Sequence, residues 1–174
     1  MKRIIFIFII IAGLGLTAVS FGTSIPQKQI KLYYTDAQVL KLIPIRTTIP
    51  ALSTKDQAKL VVKKLIDGDD ENLKIKRTIP KIQGCMTVEV NGTTAYVDIK
   101  PEMVLSHSEG RDIELLTVYS IVNSLTGIEG INTVKFTIDG KIQKDFIGYI
   151  DMRETFIPDY MIYENGEFTL KNLI

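Results

Sequence analysis

The side chains that most often carry chemistry in proteins are scarce in this sequence. Its 174 residues include one cysteine, Cys85, one histidine, His107, and no tryptophan. A single cysteine excludes an internal disulfide, and the position of Cys85 excludes a lipoprotein-type anchor at the N-terminus. We therefore expect Cys85 to be a small buried apolar residue, with an intermolecular disulfide as the alternative.

An excess of either charge is also missing. The chain has 21 Lys and Arg residues against 20 Asp and Glu residues, a net charge of +1. Proteins that bind nucleic acids usually carry a basic excess or a basic stripe, so no nucleic-acid partner is predicted. A hydrophobic share of 45% in a chain of this length predicts one ordinary domain with a real core.

Metal sites need several ligands close together, and the sequence does not supply them in a recognisable pattern. One histidine and one cysteine cannot make a zinc site alone. The acidic stretch "DGDDEN" at residues 67–72 lacks the alternating ligand spacing and the later glutamate of a calcium loop. We interpret it as a solvated helix end, with weak calcium binding as the minor alternative.

The remaining candidates for catalysis are weak. Ser106 and Ser108 flank His107, but adjacent side chains rarely meet productively, so His107 is expected to be an exposed or capping loop residue. Glycoside chemistry needs paired carboxylates such as Glu89 and Asp98, and both of these are expected to point outward from a hairpin as a solvent-facing pair. No catalytic, cofactor-binding or metal-binding residue is therefore predicted, and the protein is not expected to be an enzyme.

The long apolar run of the sequence lies at its N-terminus. Lys2 and Arg3 precede an uncharged apolar stretch over residues 4–19, which is typical of an export signal. Residues 1–22 are predicted to be either a signal peptide, cut before Phe21, or an uncleaved membrane anchor of nearly spanning length. Residues 23–28 then form a tether, and either alternative places the remaining chain outside the cytoplasm.

The first half of the domain reads as two strands and a helix. Alternating apolar residues predict strands over residues 28–35 and 39–50, with Pro44 placing the second strand at an edge or at a bulge. A helix is predicted over residues 53–69, capped by Ser53 and stopped by Gly68. Its predicted apolar stripe is Ala58, Val61, Val62, Leu65 and Ile66. Residues 71–84 are expected to be a loop that crosses the domain.

The second half repeats that plan without detectable sequence repetition. A hairpin is predicted over residues 85–101 around Asn91 and Gly92, with its alternating apolar residues on a shared buried face. A more apolar and more central helix is predicted over 111–130, with a main apolar stripe of Leu115, Val118, Val122 and Leu125. A strand is predicted over 133–142, with a tight turn at Asp139 and Gly140. Residues 161–174 form a C-terminal tail in which Asn165 and Gly166 are compatible with a last hairpin. The order β-β-α-β-β-α-β predicts an α/β (α+β) sandwich, with one mixed sheet and two helices packed on one face.

This ordered series of segments resembles the GerM domain family, the sporulation and spore germination domain. The matching segments cover about residues 29–160 and read "IKLYYTDAQ", "LIPIRTTIP", "IKRTIPK", "VEVNGTTAYVDI", "ELLTVYSIVNSLTGIEGINTVKFTIDGK" and "GYIDMRETFIPD". The resemblance implies a non-catalytic extracytoplasmic domain that helps to organise protein complexes, similar to ring-building domains of secretion-like assemblies. Two departures are that no N-terminal lipoprotein cysteine is present and that only one copy of the domain is visible.

The expected function is therefore a binding or assembly module at the cell envelope, in sporulation or spore germination. Its expected partners are envelope or sporulation proteins or a second copy, with contacts at the strand around Pro44 or on the outer surface of the first helix. Lys59, Lys63 and Lys64 on that helix are otherwise expected to be a solvated face. The alternative is a peptidoglycan-binding module that assists a wall hydrolase, and its aromatic platforms would be Tyr33, Tyr34, Tyr96 and Tyr149.

Overall fold

The computed structural model describes residues 26–69 and 71–160. The predicted N-terminal signal or anchor, residues 23–25 of the tether and the predicted hairpin of the tail lie outside these residues. The strands are β1 (Gln27–Asp36), β2 (Leu42–Pro50), β3 (Ile75–Lys76), β4 (Met86–Asn91), β5 (Thr94–Ile99) and β6 (Thr133–Ile138). The helices are α1 (Thr54–Asp67), α2 (Pro101–Ser106) and α3 (Arg111–Thr126).

The strands form two sheets, so the predicted single sheet is wrong. One sheet has the order β2-β1-β3 with antiparallel pairs, and the other has the order β4-β5-β6. In the second sheet β4 and β5 are antiparallel and β5 and β6 are parallel, which makes that sheet mixed. On the side of β1 away from β2, α3 bonds to the backbone of Tyr33 through Ser120 and Ser124.

Both long helices contact both sheets instead of covering one face. Helix α1 packs against β4 and also against β1 and β2, whereas α3 packs against β1 and β6. The helices also contact each other, and the buried apolar side chains of all these elements form one cluster. The predicted packing on one face is therefore replaced by two helices that join two small sheets.

The predicted first helix is confirmed in its cap, its stripe and its end. Ser53 is the N-cap and its Oγ accepts a hydrogen bond from the Asp56 amide at 3.2 Å. Gly68 ends the helix with a φ of +69°, a left-handed conformation that glycine adopts without a steric penalty. The whole predicted stripe is buried, namely Ala58, Val61, Val62, Leu65 and Ile66.

The β4–β5 hairpin and the turn after β6 lie at or within one residue of the positions that their turn residues predicted. The predicted buried faces of β4 and β5 are both buried, and β2 is an edge strand as Pro44 predicted. The two-residue turn is Gly92–Thr93, one residue later than predicted, because Asn91 pairs with Thr94. Asp139 and Gly140 form a second tight turn with φ values of +50° and +73°, as expected for a primed turn.

Three elements differ from the sequence-based prediction. Helix α2 was not predicted, although Pro101 starts it at a position where proline is favourable. The crossing loop contributes β3, whose two residues pair with Thr35 and Asp36 of β1. The second strand begins at Leu42 instead of residue 39, because the Asp36 carboxylate accepts hydrogen bonds from the Leu40 and Lys41 amides and closes a turn there.

Candidate functional site

His107 is buried, so the prediction of an exposed residue is wrong, although the residue does form the C-cap of α2. Its Nδ1 lies 2.7 Å from the carbonyl oxygen of Ser108, and its Nε2 lies 2.7 Å from the Thr117 hydroxyl. The ring edge packs on Phe146 with 4.9 Å between centroids. Since carbonyl oxygens only accept hydrogen bonds, Nδ1 carries a proton. The Thr117 hydroxyl has one proton, for which the Ile113 carbonyl oxygen at 2.8 Å and Nε2 of the neutral ring are the two acceptors in reach.

This environment decides what His107 can do. Burial lowers the pKa of the imidazole, while its hydrogen bond to Ser108 acts in the opposite direction. The side chains of Ser106 and Ser108 are exposed whereas the imidazole is inside, so the structure does not bring a serine nucleophile to this ring. The observed partners tie α2 to α3, which is a structural arrangement.

Glu89 and Asp98 do not face each other across the hairpin. The register places Glu89 opposite Tyr96 and Asp98 opposite Thr87. The exposed Glu89 carboxylate lies 3.3 Å from the Lys59 ammonium on α1. The predicted outward orientation therefore fits Glu89, but it does not describe the environment of Asp98.

Asp98 instead fixes the turn that follows β6. Its Oδ1 accepts hydrogen bonds from the Thr137 hydroxyl and the Gly140 amide, both at 2.7 Å, and its Oδ2 lies 2.7 Å from the Lys100 ammonium. Burial acts to raise the pKa of Asp98, but these donors outweigh it and hold the pKa below its usual range. The carboxylate is therefore committed to structure in its charged form.

Glu114 is a buried polar residue that the sequence did not lead us to predict. It is fully buried on α3, and its carboxylate accepts hydrogen bonds from three backbone amides at 3.0–3.2 Å, those of Ile147, Tyr149 and Ile150. The signal was present in the sequence, because Glu114 lies one helical turn before Val118 on the predicted apolar stripe. The carboxylate organises an irregular segment that has few backbone hydrogen bonds of its own.

Ion pairs at α1 join Lys59 with Glu89 and Lys63 with Asp67. The Asp67 carboxylate contacts the Lys63 ammonium and lies 3.0 Å from the Gln83 amide nitrogen, and the Lys63 contact lowers the pKa of Asp67. No group of three His, Cys, Asp or Glu residues is placed to hold a metal ion within the part of the chain that the structure describes. Asp70 of the acidic stretch lies outside that part.

The candidate aromatic platforms divide into two buried and two exposed tyrosines. Tyr33 and Tyr34 are buried, and the Tyr34 hydroxyl donates to the Lys64 carbonyl at 3.0 Å. Burial raises the pKa of Tyr34 to about 12. Tyr96 and Tyr149 remain 43% and 55% exposed. Cys85 is buried, which confirms its predicted role as a small core residue, and it is a free thiol.

Two grooves border the predicted contact surfaces. The β1 groove, of about 790 Å³, is lined by Gln29, Ile30, Lys31, Tyr33, Pro44, Arg46, Gly127 and Tyr160. The α1–β4 groove, of about 360 Å³, is lined by Lys59, Val62, Lys63, Ile66, Gln83, Gly84, Met86, Thr87, Val88 and Glu89. They include Pro44 and the lysine face of α1, so each predicted contact surface borders one of the grooves.

Comparison with known proteins identifies the domain type. The family model described as Germane, sporulation and spore germination, matches residues 31–144, well over half of the chain. A comparison with curated protein sequences finds no match. Across residues 26–69 and 71–160, none of the helices has the length and apolar character needed to cross a membrane.

Solved structures share the fold at low sequence identity. The first GerMN domain of the sporulation protein GerM from Bacillus subtilis has a TM-score of 0.57 and 19% identity, covering 77% of this chain and 98% of that one. The tandem GerMN domains of the same protein also give 0.57 and 19%, covering 71% and 43%. A candidate lipoprotein from Clostridium perfringens gives 0.55 and 18%, covering 76% and 89%.

Proposed function

Because the chain belongs to the Germane family of sporulation and spore germination domains, we propose that it works as a non-catalytic binding and assembly module at the cell envelope. It acts by contact with envelope or sporulation proteins or with a second copy of itself. The same fold occurs in a sporulation protein and in a candidate lipoprotein, which supports an envelope location.

The observation that carries this proposal is that the side chains suited to catalysis are engaged in holding the fold. His107 joins α2 to α3, Asp98 fixes the turn after β6, and Glu114 holds residues 147–150. A catalytic acid or base needs access to a substrate proton, and these groups direct their polar atoms to the protein's own backbone groups, to hydroxyl groups and, for Asp98, to the Lys100 ammonium. A folded surface is then what the domain offers to other molecules.

The α1–β4 groove is the surface that we assign to partner binding. Its floor is apolar and buried, formed by Val62, Ile66, Met86 and Val88, and Lys59 and Glu89 meet across its rim. Strand β4 is an edge strand of its sheet, and an edge strand beside an apolar groove can accept an extended segment of a partner.

The N-terminal segment determines how this module is presented. A cleaved signal releases the domain outside the cytoplasm, whereas an uncleaved anchor holds it at the outer face of the cytoplasmic membrane. In both cases the domain meets its partners outside the cytoplasm, and the N-terminal sequence of the purified natural protein distinguishes the two.

Crosslinking in cells with two matched variants tests the proposal. Thr87→Arg places a bulky cation in the α1–β4 groove, and Thr48→Arg makes the same exposed substitution on β2, outside that groove. We expect Thr87→Arg to abolish the crosslinked complex, or the self-association measured by light scattering, while Thr48→Arg preserves it. A strict monomer that crosslinks to no partner, or equal behaviour of the two variants, contradicts the proposal.

The peptidoglycan alternative predicts a different result. The domain would sediment with purified cell-wall sacculi, and binding would fall in Tyr96→Ala and Tyr149→Ala, the variants of the two exposed tyrosines. Wall hydrolysis that is lost in Glu89→Ala or Asp98→Ala would instead support an enzyme and overturn the proposal.

A further inference from the structure

The edge of β1 that faces away from β2 is only partly satisfied by the described fold. The Asp36 amide donates to the Lys41 carbonyl at 2.8 Å, and the Ala51 amide donates to the Pro26 carbonyl at 2.7 Å. These two bonds fix the parity of the ladder, so the even-numbered residues of β1 bond to β2. The backbone N–H and C=O groups of the odd-numbered residues point to the opposite side.

Different elements contact the C-terminal part of this edge, from Tyr33 to Asp36. β3 pairs with Thr35 and Asp36. At Tyr33, α3 replaces a strand, because the Ser120 hydroxyl donates to the Tyr33 carbonyl at 2.5 Å and the Tyr33 amide donates to Ser124 Oγ at 2.9 Å. Helix α3 then ends at Thr126, so its hydroxyl groups do not extend to Lys31 and Gln29.

Gln29 and Lys31 therefore present an edge inside the β1 groove. Both residues are exposed, and among residues 26–69 and 71–160 neither β3 nor α3 pairs with them. Gly127 lines the groove, and a Cβ at this residue would lie 3.9 Å from the Lys31 carbonyl oxygen. Gly127, which has no side chain, therefore lies beside the Lys31 end of the edge.

The described chain ends in this same groove. The Asn123 side chain holds the backbone of Asp159 from both sides, donating to its carbonyl at 2.9 Å and accepting from its amide at 3.0 Å. The next residue, Tyr160, places its ring 5.8 Å from the Tyr33 ring and lines the groove. The clamp on Asp159 thus holds the end of the described chain at the β1 groove.

The fourteen residues that follow have the length, pattern and charge to fill this site. Fully extended they span roughly 46 Å, and the edge from Tyr33 to Gln27 is only about 20 Å long. The sequence "GEFTLKNLI" at residues 166–174 carries apolar residues suited to the groove. Glu164 and Glu167 complement Lys31 and Arg46, the two cations of the groove lining.

We propose that residues 161–174 occupy the β1 groove and pair as a strand with the edge at Gln29 and Lys31. The domain then completes its own first sheet in the order β2-β1-tail, with α3 and β3 meeting the rest of β1. This pairing closes an edge that would otherwise recruit other chains, and it does not depend on the function proposed above.

Residue-resolved amide hydrogen exchange of the full chain tests this pairing. We expect the Gln29 and Lys31 amides to exchange at least about 100-fold more slowly than unstructured amides. In a chain that stops after Tyr160 they should exchange at least about tenfold faster than in the full chain, while the Ile30 and Leu32 amides, bonded to β2, stay unchanged. These even-numbered amides are the internal control, because their protection shows that the shortened chain still folds.

A charge exchange keeps the test decisive if the shortened chain does not fold. In the full chain, Glu164→Lys with Glu167→Lys should weaken protection of Gln29 and Lys31, and adding Lys31→Glu with Arg46→Glu should restore it. Unprotected Gln29 and Lys31 amides in the full chain overturn the proposal. Protection that survives removal of the tail, or that disappears on dilution as expected for a second copy, overturns it as well.

Discussion

Helices α1 and α3 have similar lengths, 14 and 16 residues, but they are held in the fold by different interactions. Helix α1 buries one apolar stripe and exposes a lysine-rich side, so it resembles an ordinary surface helix. Helix α3 is buried at every residue from Glu114 to Leu125, including five polar residues. The first helix is therefore stabilised mainly by apolar burial, and the second also by specific buried hydrogen bonds.

The buried polar residues of α3 all bond to segments that lie outside helices or at strand edges. Glu114 holds residues 147–150, Asn123 holds Asp159, and Thr117 holds His107. Ser120 and Ser124 bond to the backbone of Tyr33 on β1. Buried polar groups need partners, so each bond admits few alternative arrangements of the segment it holds. The difference between the helices shows that α3 fixes the irregular C-terminal segment, whereas α1 mainly contributes apolar side chains to the core.

The largest expected effect comes from removing the buried carboxylate of α3. Glu114→Ala leaves the amides of Ile147, Tyr149 and Ile150 without their acceptor, and we expect a loss of about 4 kcal/mol in unfolding free energy. Urea denaturation measures this loss. Glu114→Gln keeps one acceptor oxygen and should lose less unfolding free energy. A loss below about 1 kcal/mol for Glu114→Ala would show that this buried carboxylate does not stabilise the packing of α3.

An apolar truncation on α1 should give the next largest effect. Leu65 is fully buried, and Leu65→Ala is expected to cost about 3 kcal/mol because it leaves a cavity in the core. Lys63→Ala on the exposed side of the same helix is the matched control and should change the unfolding free energy by less than about 0.5 kcal/mol. If the two variants were equally stable in denaturant, α1 would not be held by its stripe.

Smaller losses are expected where α3 bonds to the edge of β1. Ser124→Ala removes the acceptor for the Tyr33 amide and should cost about 1 kcal/mol. Amide exchange at Tyr33 should accelerate in this variant while exchange at Ile30 does not change. Ser106→Ala on α2 is a suitable control, since Ser106 is exposed. An unchanged Tyr33 exchange rate would show that the hydroxyl does not protect this edge.

The smallest effect is a dependence of stability on pH through His107. Burial holds the imidazole pKa below its unfolded value of about 6.5, so the unfolded chain binds the proton first. The stability contributed by neutral His107 is complete above about pH 6.5 and declines as the pH falls towards the folded pKa. Denaturation midpoints between pH 7.5 and 5 measure this decline. His107→Gln should flatten the slope in that range, and an identical slope would contradict the assignment.

The sequence predicted the parts of this fold that rest on local patterns. The α1 stripe and its cap, the alternating faces of β4 and β5, the central position of α3 and the turn at Asp139 and Gly140 were all readable, because each depends on residues close in the chain. The turn of the hairpin was misplaced by one residue, which is a small shift in register. Family membership was also readable from the ordered series of segments, and it is confirmed.

The division into two sheets and the roles of the buried polar residues were not readable. Glu114, His107 and Asp98 find partners 10 to 42 positions away in the chain. The edge of β1 is met by hydroxyl groups of a helix, an arrangement for which strand patterns give no signal. Which of the two grooves a partner or the tail can enter depends on these same long-range placements.

By itself, then, the sequence determined the elements and the family, since the periods of apolar residues and the turn chemistry act over a few residues. Only the tertiary structure decided how many sheets form and which polar atoms remain accessible. The physical reason is that a buried hydrogen bond is formed between groups that meet only after the chain has folded. The hydrogen-bond partners of Glu114, Asp98 and His107 are therefore fixed by the tertiary structure.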